Sequence, residues 1–242
     1  MSSNAIYVVN TYKEGVGADK RWSKHGSLYK AVNDFVVPSQ MRYAERCGVD
    51  YVELKDEPEE YEGNPYHSAC LRNITMFKDF AKSHYERILF LDCDILISEN
   101  AGNIFEDLLY FSAGGIDAKK AKEHQEKVLE SSLNVRVPSG YFFCTGVAMY
   151  PREVFEAYAK YIDDDLISAQ ANTLGFFDMH GCGYLNYKIN KVPDLISRHW
   201  HCMPPMAKED TNFVHYGGGH KIDLIKISNS PNEEAWSGNV VL

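Results

Sequence analysis

No stretch of this 242-residue chain approaches the ~20 consecutive apolar residues of a membrane-spanning helix. Residues 1–15, MSSNAIYVVNTYKEG, lack the basic start and apolar core of a secretory signal peptide. Cysteine is sparse. Cys47, Cys70, Cys93, Cys144, Cys182 and Cys202 stand singly, with no CxxC pair, mostly inside apolar or periodic runs. Such residues behave as small buried hydrophobes, which points to reduced thiols and a cytoplasmic setting. Basic residues are outnumbered, 25 Lys and Arg against 34 Asp and Glu, for a net charge of −9. That balance argues against nucleic acid as the main partner. It leaves room for a phosphorylated ligand, because a bound cation reverses the local sign of the field. Internal repeats, low-complexity tracts and dividing linkers are also missing, so the length suits one domain over residues 1–242.

Hydrophobic residues make up 45% of the chain and aromatics 13%, enough for a substantial core. The decisive segment is Arg87–Ser98, RILFLDCDILIS. Its apolar runs, Ile88–Leu91 and Ile95–Ile97, contain no glycine or proline and read as a strand buried on both faces. Asp92 and Asp94 interrupt them, and two carboxylates at i and i+2 would carry a heavy desolvation cost inside a core. The pattern makes sense where the strand ends and delivers both to a crevice. Paired hard oxygen ligands there suit a divalent cation and, through it, a phosphate. Two known site types look like this. One is the Asp-x-Asp of A-type glycosyltransferases; the other is the aspartyl nucleophile and acid of haloacid-dehalogenase-type phosphatases. A third reading has the carboxylates cap a turn or pair with nearby bases.

The rest of the chain alternates strand and helix. Ala5–Asn10 reads as a first buried strand, followed by a long loop carrying Lys13, Lys20, Arg21, Lys24 and Lys30. Ser39–Cys47 reads as a short helix ended by Gly48, and Tyr51–Leu54 as a second strand. An acidic loop spans 56–64. Over His67–Lys82, Cys70, Ile74, Phe77 and Ala81 share one helical face. A helix near Asn103–Tyr110 and a polar helix over Asp117–Ser132 follow. Tyr141–Tyr150 is a strand candidate, Pro151 opens a helix, and a helix from near Asp178 runs to Ile189. Asp163–Asp165 reads as an acidic helix cap, and Ser197–Pro205 as extended. This order implies parallel strands with helices on both faces, and ligands beyond the strands' carboxyl ends.

A second signal is the segment FVHYGGGHK. His215 ends a short strand, Gly217–Gly219 let backbone N–H groups approach a ligand, and Lys221 offers a point charge suited to phosphate. A histidine beside paired carboxylates is a common third metal ligand. Alone, the segment also fits a surface glycine-rich turn. His199, Trp200 and His201 precede Cys202, yet no second ligand pair has zinc-site spacing. Trp200 reads as packing or as an acceptor platform.

Together these motifs make the chain resemble the A-type-fold glycosyltransferases, closest in layout to the glycogenin-like sugar transferases. The matching segments are Ala5–Tyr12, Ile88–Asp94, Phe143–Val147, Leu185-Asn186 and His215 through Lys221, in family order. The resemblance implies an α/β Rossmann-like fold with a mostly parallel central sheet. The nucleotide-binding part would be roughly residues 1–110 and the acceptor-side part roughly 111–242. It implies Mn²⁺ or Mg²⁺ held by Asp92, Asp94 and His215. Asn10, Thr11 and Tyr12 would contact base and ribose, and Asp92 would also reach the ribose. Thr145 and Gly146 would lie beside the donor sugar, and Gly217 and Lys221 would meet the diphosphate. The expected partners are a nucleotide-sugar donor, with UDP as its nucleotide, and a glycan, protein or small-molecule acceptor.

Two departures stand out. Cys144 occupies a position where the family commonly has Asn or Asp, and Gly181-Cys182 replaces an Asp-Gln pair. Asp178 is the nearest acid and the candidate general base. Most Golgi members of the family carry a membrane anchor; its absence here points to a cytosolic enzyme or a piece of a longer chain. A phosphatase would need its nucleophile after the first strand, whereas Asp92 follows two strand–helix units, and Leu96 stands where Thr or Val is preferred. A non-catalytic sugar-nucleotide-binding module would use the same ligands. From the sequence, Asp94→Asn should relieve a buried charge and leave stability unchanged or raised.

Overall fold

Alternating apolar residues on three strands set the architecture. The computed structural model describes residues 2–15, 18–55, 65–115, 119–173, 175, 177–208 and 210–229. The chain begins with β1 (Asn4–Val9), α1 (Ala18–Trp22) and α2 (Leu28–Ala31), then a π-helical turn over Val32–Val36. Next come α3 (Val37–Cys47), β2 (Asp50–Leu54), α4 (Pro65–Phe80), β3 (Arg87–Asp92) and β4 (Ile95–Ile97). The middle holds α5 (Ile104–Asp107), β5 (Ser112–Gly114), α6 (Lys119–Leu133), β6 (Cys144–Pro151), α7 (Arg152–Ala159) and α8 (Asp164–Asn172). The described chain closes with α9 (Asp178–Ile189), β7 (Asp194–Leu195), β8 (Phe213–His215) and α10 (Lys221–Ser228).

Six strands form one sheet in the order β2-β1-β3-β6-β5-β7. β1 pairs parallel with β2 and β3, β5 pairs parallel with β7, and β6 runs antiparallel to both β3 and β5. The sheet is therefore mostly parallel, as expected. Successive strand residues point to opposite faces. Tyr7, Val9, Ile88, Phe90, Ala148 and Tyr150 bury one face against α4, α7, α8 and α9. Ile6, Val8, Leu89, Leu91, Val147 and Met149 bury the other against Tyr43 and Ala44 of α3 and Ile104 and Phe105 of α5. Both faces are covered, which is why β1 and β3 read as unbroken apolar runs. Cutting a fully buried aromatic such as Phe77 to Ala would cost about 3–5 kcal/mol.

Several expectations change. The stretch after β1 is a set of helical turns rather than a loop, tied down by Asp19, which accepts from the backbone N–H groups of Gly15 (2.7 Å) and Tyr29 (2.8 Å). Pro151 ends β6 and precedes α7 instead of occupying its first turn. Asp163 caps α8, accepting from Leu166 N at 2.9 Å, as the acidic run predicts. Gly48 ends α3 in the left-handed region, φ 65°, also as expected. The expected acidic loop at 56–64 and the first residues of the polar helix, 117–118, lie outside the described residues. All six cysteines are free thiols. Among the described residues no helix is long and apolar enough to cross a membrane.

Candidate active site

The Asp-x-Asp segment is not one strand. β3 ends at Asp92, the chain turns through Cys93 and Asp94, and β4 leaves to pair with β8 in a separate two-stranded sheet. A chain that leaves a sheet in a buried region must find new partners for its backbone. Gln40 of α3 supplies them: its Nε2 donates to Asp92 O (3.1 Å) and Ile95 O (2.9 Å), and Tyr51 Oη donates to its Oε1 (3.1 Å). Tyr216 N donates to Asp94 O at 3.0 Å. The antiparallel register sets His215 opposite Ile95, one residue from Asp94.

Three side chains therefore converge. His215 Nε2 lies 3.4 Å from Asp92 Oδ2 and 3.2 Å from Asp94 Oδ1. Asp94 is 4% exposed, and Lys221 Nζ donates to its Oδ2. Burial would raise the Asp94 carboxyl, but the charges of Lys221 and His215 outweigh it and hold it well below the carboxylate range. In return, and against their own burial, Asp94 holds both Lys221 and His215 well above their ordinary values. Asp94 Oδ1 faces His215 without hydrogen-bond alignment, so this buried oxygen has no hydrogen-bond partner. The oxygen is offset by the charge of His215 at 3.2 Å but accepts no aligned hydrogen bond, and a cation would fill that place. Donor atoms of Asp92, Asp94 and His215 all lie within 4.8 Å of one another. Two carboxylates and an imidazole form a donor set that fits Mn²⁺ or Mg²⁺.

Beside this group is a buried acid. Asp178 opens α9, whose start is fixed by Phe177 N donating to His180 Nδ1 at 2.9 Å. Asp178 Oδ2 accepts from Thr145 Oγ1 (2.9 Å) and Asn73 Nδ2 (2.8 Å). Burial, then the charge of Asp92, push its carboxyl up to about 6 despite these hydrogen bonds. Gly146 follows on β6. A Cβ there would meet His215 Cε1 at 2.7 Å, His215 Nδ1 at 2.8 Å and Asp92 Oδ2 at 3.2 Å, so only glycine leaves room for the convergence. Gly217 lies against the opposite ring edge, 2.9 Å from His215 Nε2 by the same measure.

Beyond β1, Asn10 and Thr11 are buried. Asn10 Nδ2 donates to Glu53 Oε1 (2.8 Å) and Asn33 Oδ1 (3.2 Å), which leaves Asn10 Oδ1 without a partner. Tyr12 presents its ring 5.8 Å from Lys221 Nζ. Asn10, Thr11 and Tyr12 follow β1, as Asp92 and Asp94 follow from the neighbouring β3.

Sequence reasoning missed Gln40, Glu53 and Asn73, whose partners are remote in the chain. His201, weighed from sequence only beside Cys202, contacts His215 and Cys144. Trp200 is packed, with Nε1 donating to Asp107 Oδ2 at 3.2 Å and its ring against Phe213. Arg72 pairs with Asp79 at 3.1 Å.

No protein-family model matches the sequence, and no curated protein matches it. A solved structure does: the crystal structure of a glycosyltransferase involved in the glycosylation of the major capsid of PBCV-1. It superposes with a TM-score of 0.59 at 15% identity, covering 92% of this chain and 98% of that one. The shared fold is the glycosyltransferase A-type fold. The WbbM bifunctional glycosyltransferase aligns with 98% of this chain and 50% of its own at 14% identity, with a TM-score of 0.49, too low to carry weight.

Proposed function

We propose that this chain is a metal-dependent glycosyltransferase that moves a hexose or pentose from a nucleotide-sugar donor, with UDP as its nucleotide, to an acceptor hydroxyl. One observation carries the reading. Asp92, Asp94 and His215 converge at the carboxyl end of β3, with their donor atoms within 4.8 Å of one another, on an A-type fold. Ligands of open α/β sheets bind beyond the carboxyl ends of the strands.

Asp92, Asp94 and His215 would hold Mn²⁺ or Mg²⁺, which when bound would neutralise the donor diphosphate and ease its departure. Asn10, Thr11 and Tyr12 meet base and ribose, and Gly217 lets backbone approach the phosphates. Lys221 holds the leaving diphosphate, where its charge counts most as negative charge builds. Thr145 and Gly146 flank the donor sugar. Asp178 takes the acceptor's proton, since a base with a pKa near the working pH serves that task. The acceptor, a glycan, protein or small molecule, approaches from the side built by roughly residues 111–242.

The experiment incubates the chain with a panel of UDP-sugars, with Mn²⁺ or with chelator, and follows UDP release and thermal unfolding. UDP at ~100 times its dissociation constant should stabilise the fold by ~2.7 kcal/mol with Mn²⁺ present, and chelator should remove that gain. Equal stabilisation with and without metal, or no turnover of any donor, would sink the reading.

A further inference from the structure

The ring of His215 has a second nitrogen, and it faces a different group of donors. His201 Nε2 lies 3.0 Å from His215 Nδ1, and Cys144 Sγ lies 4.0 Å from His201 Nε2. One ligand atom from each of Cys144, His201 and His215 fits within a 4.8 Å span. We propose that Cys144 Sγ, His201 Nε2 and His215 Nδ1 form a second cation site, for a thiolate-seeking divalent ion of the zinc class, sharing His215 with the carboxylate site.

The spacing fits. Tetrahedral zinc with Zn–N near 2.0–2.1 Å and Zn–S near 2.3 Å sets N···N at about 3.3 Å and S···N at about 3.6 Å. The observed N···N of 3.0 Å is about 0.3 Å shorter and the S···N of 4.0 Å about 0.4 Å longer, shifts that small side-chain rotations absorb. The donor types fit as well: one sulfur and two imidazoles select zinc over the oxygen-seeking Mg²⁺ and Mn²⁺.

The backbone is also shaped around these donors. Gly114 pairs with Cys144 across β5 and β6, where the register shifts between Ala113 and Gly114. A Cβ on Gly114 would meet His201 Nδ1 at 2.3 Å and Cys144 Cβ at 3.3 Å. Gly146 makes the same room for the ring of His215. His201 reaches the site because the next residue bridges to β8: Cys202 N donates to Phe213 O (3.2 Å), and His215 N donates to Cys202 O (2.8 Å). Local turns, bulges and bridges thus converge on three donors that share no sequence motif.

Sharing has a chemical consequence. Neutral imidazole carries one nitrogen lone pair. An ion on Nδ1 therefore takes the lone pair that an ion on Nε2 needs, unless the ring loses its second proton. Zinc at the thiolate site should weaken Mn²⁺ at the carboxylate site.

The test uses the metal-free full chain under reducing conditions and does not depend on sugar transfer. Co²⁺ serves as the optical probe and Zn²⁺ for X-ray absorption. The expected result is one equivalent of Co²⁺ with thiolate-to-cobalt charge-transfer absorption. The band should vanish in Cys144→Ser and persist in Cys202→Ser and Asp92→Asn. X-ray absorption of the zinc-loaded wild type should show one sulfur near 2.3 Å with nitrogen near 2.0–2.1 Å, a measurement that needs no variant to fold. Zinc should also raise the Mn²⁺ dissociation constant at least ~10-fold, a difference of about 1.4 kcal/mol. A sulfur-free zinc shell, or a charge-transfer band that survives Cys144→Ser, would overturn the site. Mn²⁺ affinity unmoved by zinc would overturn the shared His215.

Discussion

Lys221 Nζ donates directly to Asp94 Oδ2, although the two residues are 127 positions apart in the chain; the carboxylate is buried and the lysine side chain nearly so. The cation at the start of α10 therefore neutralises the carboxylate that the proposed function gives to a metal, and leaves Oδ1 to face His215. The sequence places this lysine after three glycines as a point charge for phosphate; in the structure it is held by Asp94.

Lys221→Met should tighten Mn²⁺ binding to the nucleotide-free protein while lowering the transfer rate. A unit charge ~5 Å from a divalent ion at an effective dielectric near 20 opposes it by several kcal/mol. Losing one charge-assisted, orienting hydrogen bond costs metal binding only ~1.5–3 kcal/mol. Repulsion is the larger effect, so its removal decides the sign. Calorimetric titration of Mn²⁺ checks this, and weaker binding in the variant would count against it.

Asp94→Asn should destabilise the fold by about 3–5 kcal/mol, because it strips a buried ammonium of its partner. This reverses the expectation from sequence, in which the charge looked unneeded. Urea unfolding at pH 7 reads the loss; a variant as stable as wild type would contradict the pairing. Transfer should be abolished as well.

His215→Ala should raise the Mn²⁺ needed for half-maximal rate by ~10-fold or more, comparable to losses seen when a metal's supporting groups are removed. Initial rates across a Mn²⁺ series decide it. An unchanged midpoint would remove His215 from the metal shell.

Asp178 makes activity and stability run in opposite directions with pH. Its folded pKa of about 6 stands above the ordinary 3.8, so the folded state holds the proton more tightly. The stability this contributes is fully present below 3.8 and is lost as pH rises through about 6. Asp178→Asn should therefore gain stability relative to wild type at pH 7.5 more than at pH 4. The wild-type rate should climb through about pH 6 as the base ionises, and the variant should lack that limb. Paired denaturation and rate profiles test both halves.

Gly146→Ala should fold with a penalty of about 1–3 kcal/mol from overpacking and lose metal affinity, since the methyl would sit 2.7 Å from His215 Cε1. Calorimetry on the folded variant checks the second effect; wild-type Mn²⁺ affinity would show that the ring can move aside.

By itself the sequence determined the elements whose burial leaves a local periodic trace. β1 from Ala5 to Val9 and β3 from Ile88 to Leu91 are unbroken apolar runs because both sheet faces are covered, and the inner face of α4 shows as Cys70, Ile74 and Phe77. The break at Asp92 and Asp94 was visible against that background, and His215 and Lys221 beside their glycines. Tertiary structure alone decided the rest. β5 and β7, three and two residues long, are too short to show a period. Gln40 is recognisable only once its amide is seen to serve the backbone on either side of the Asp-x-Asp turn. Asp178 reaches Thr145 and Asn73 because α9 packs beside α4 and β6, and Cys144 meets His201 because a bridge to β8 carries the histidine there. The physical reason is common to all of these: hydrophobic burial repeats along the chain and leaves a pattern, whereas hydrogen bonds and donor clusters between distant segments depend on contacts that no local spacing encodes.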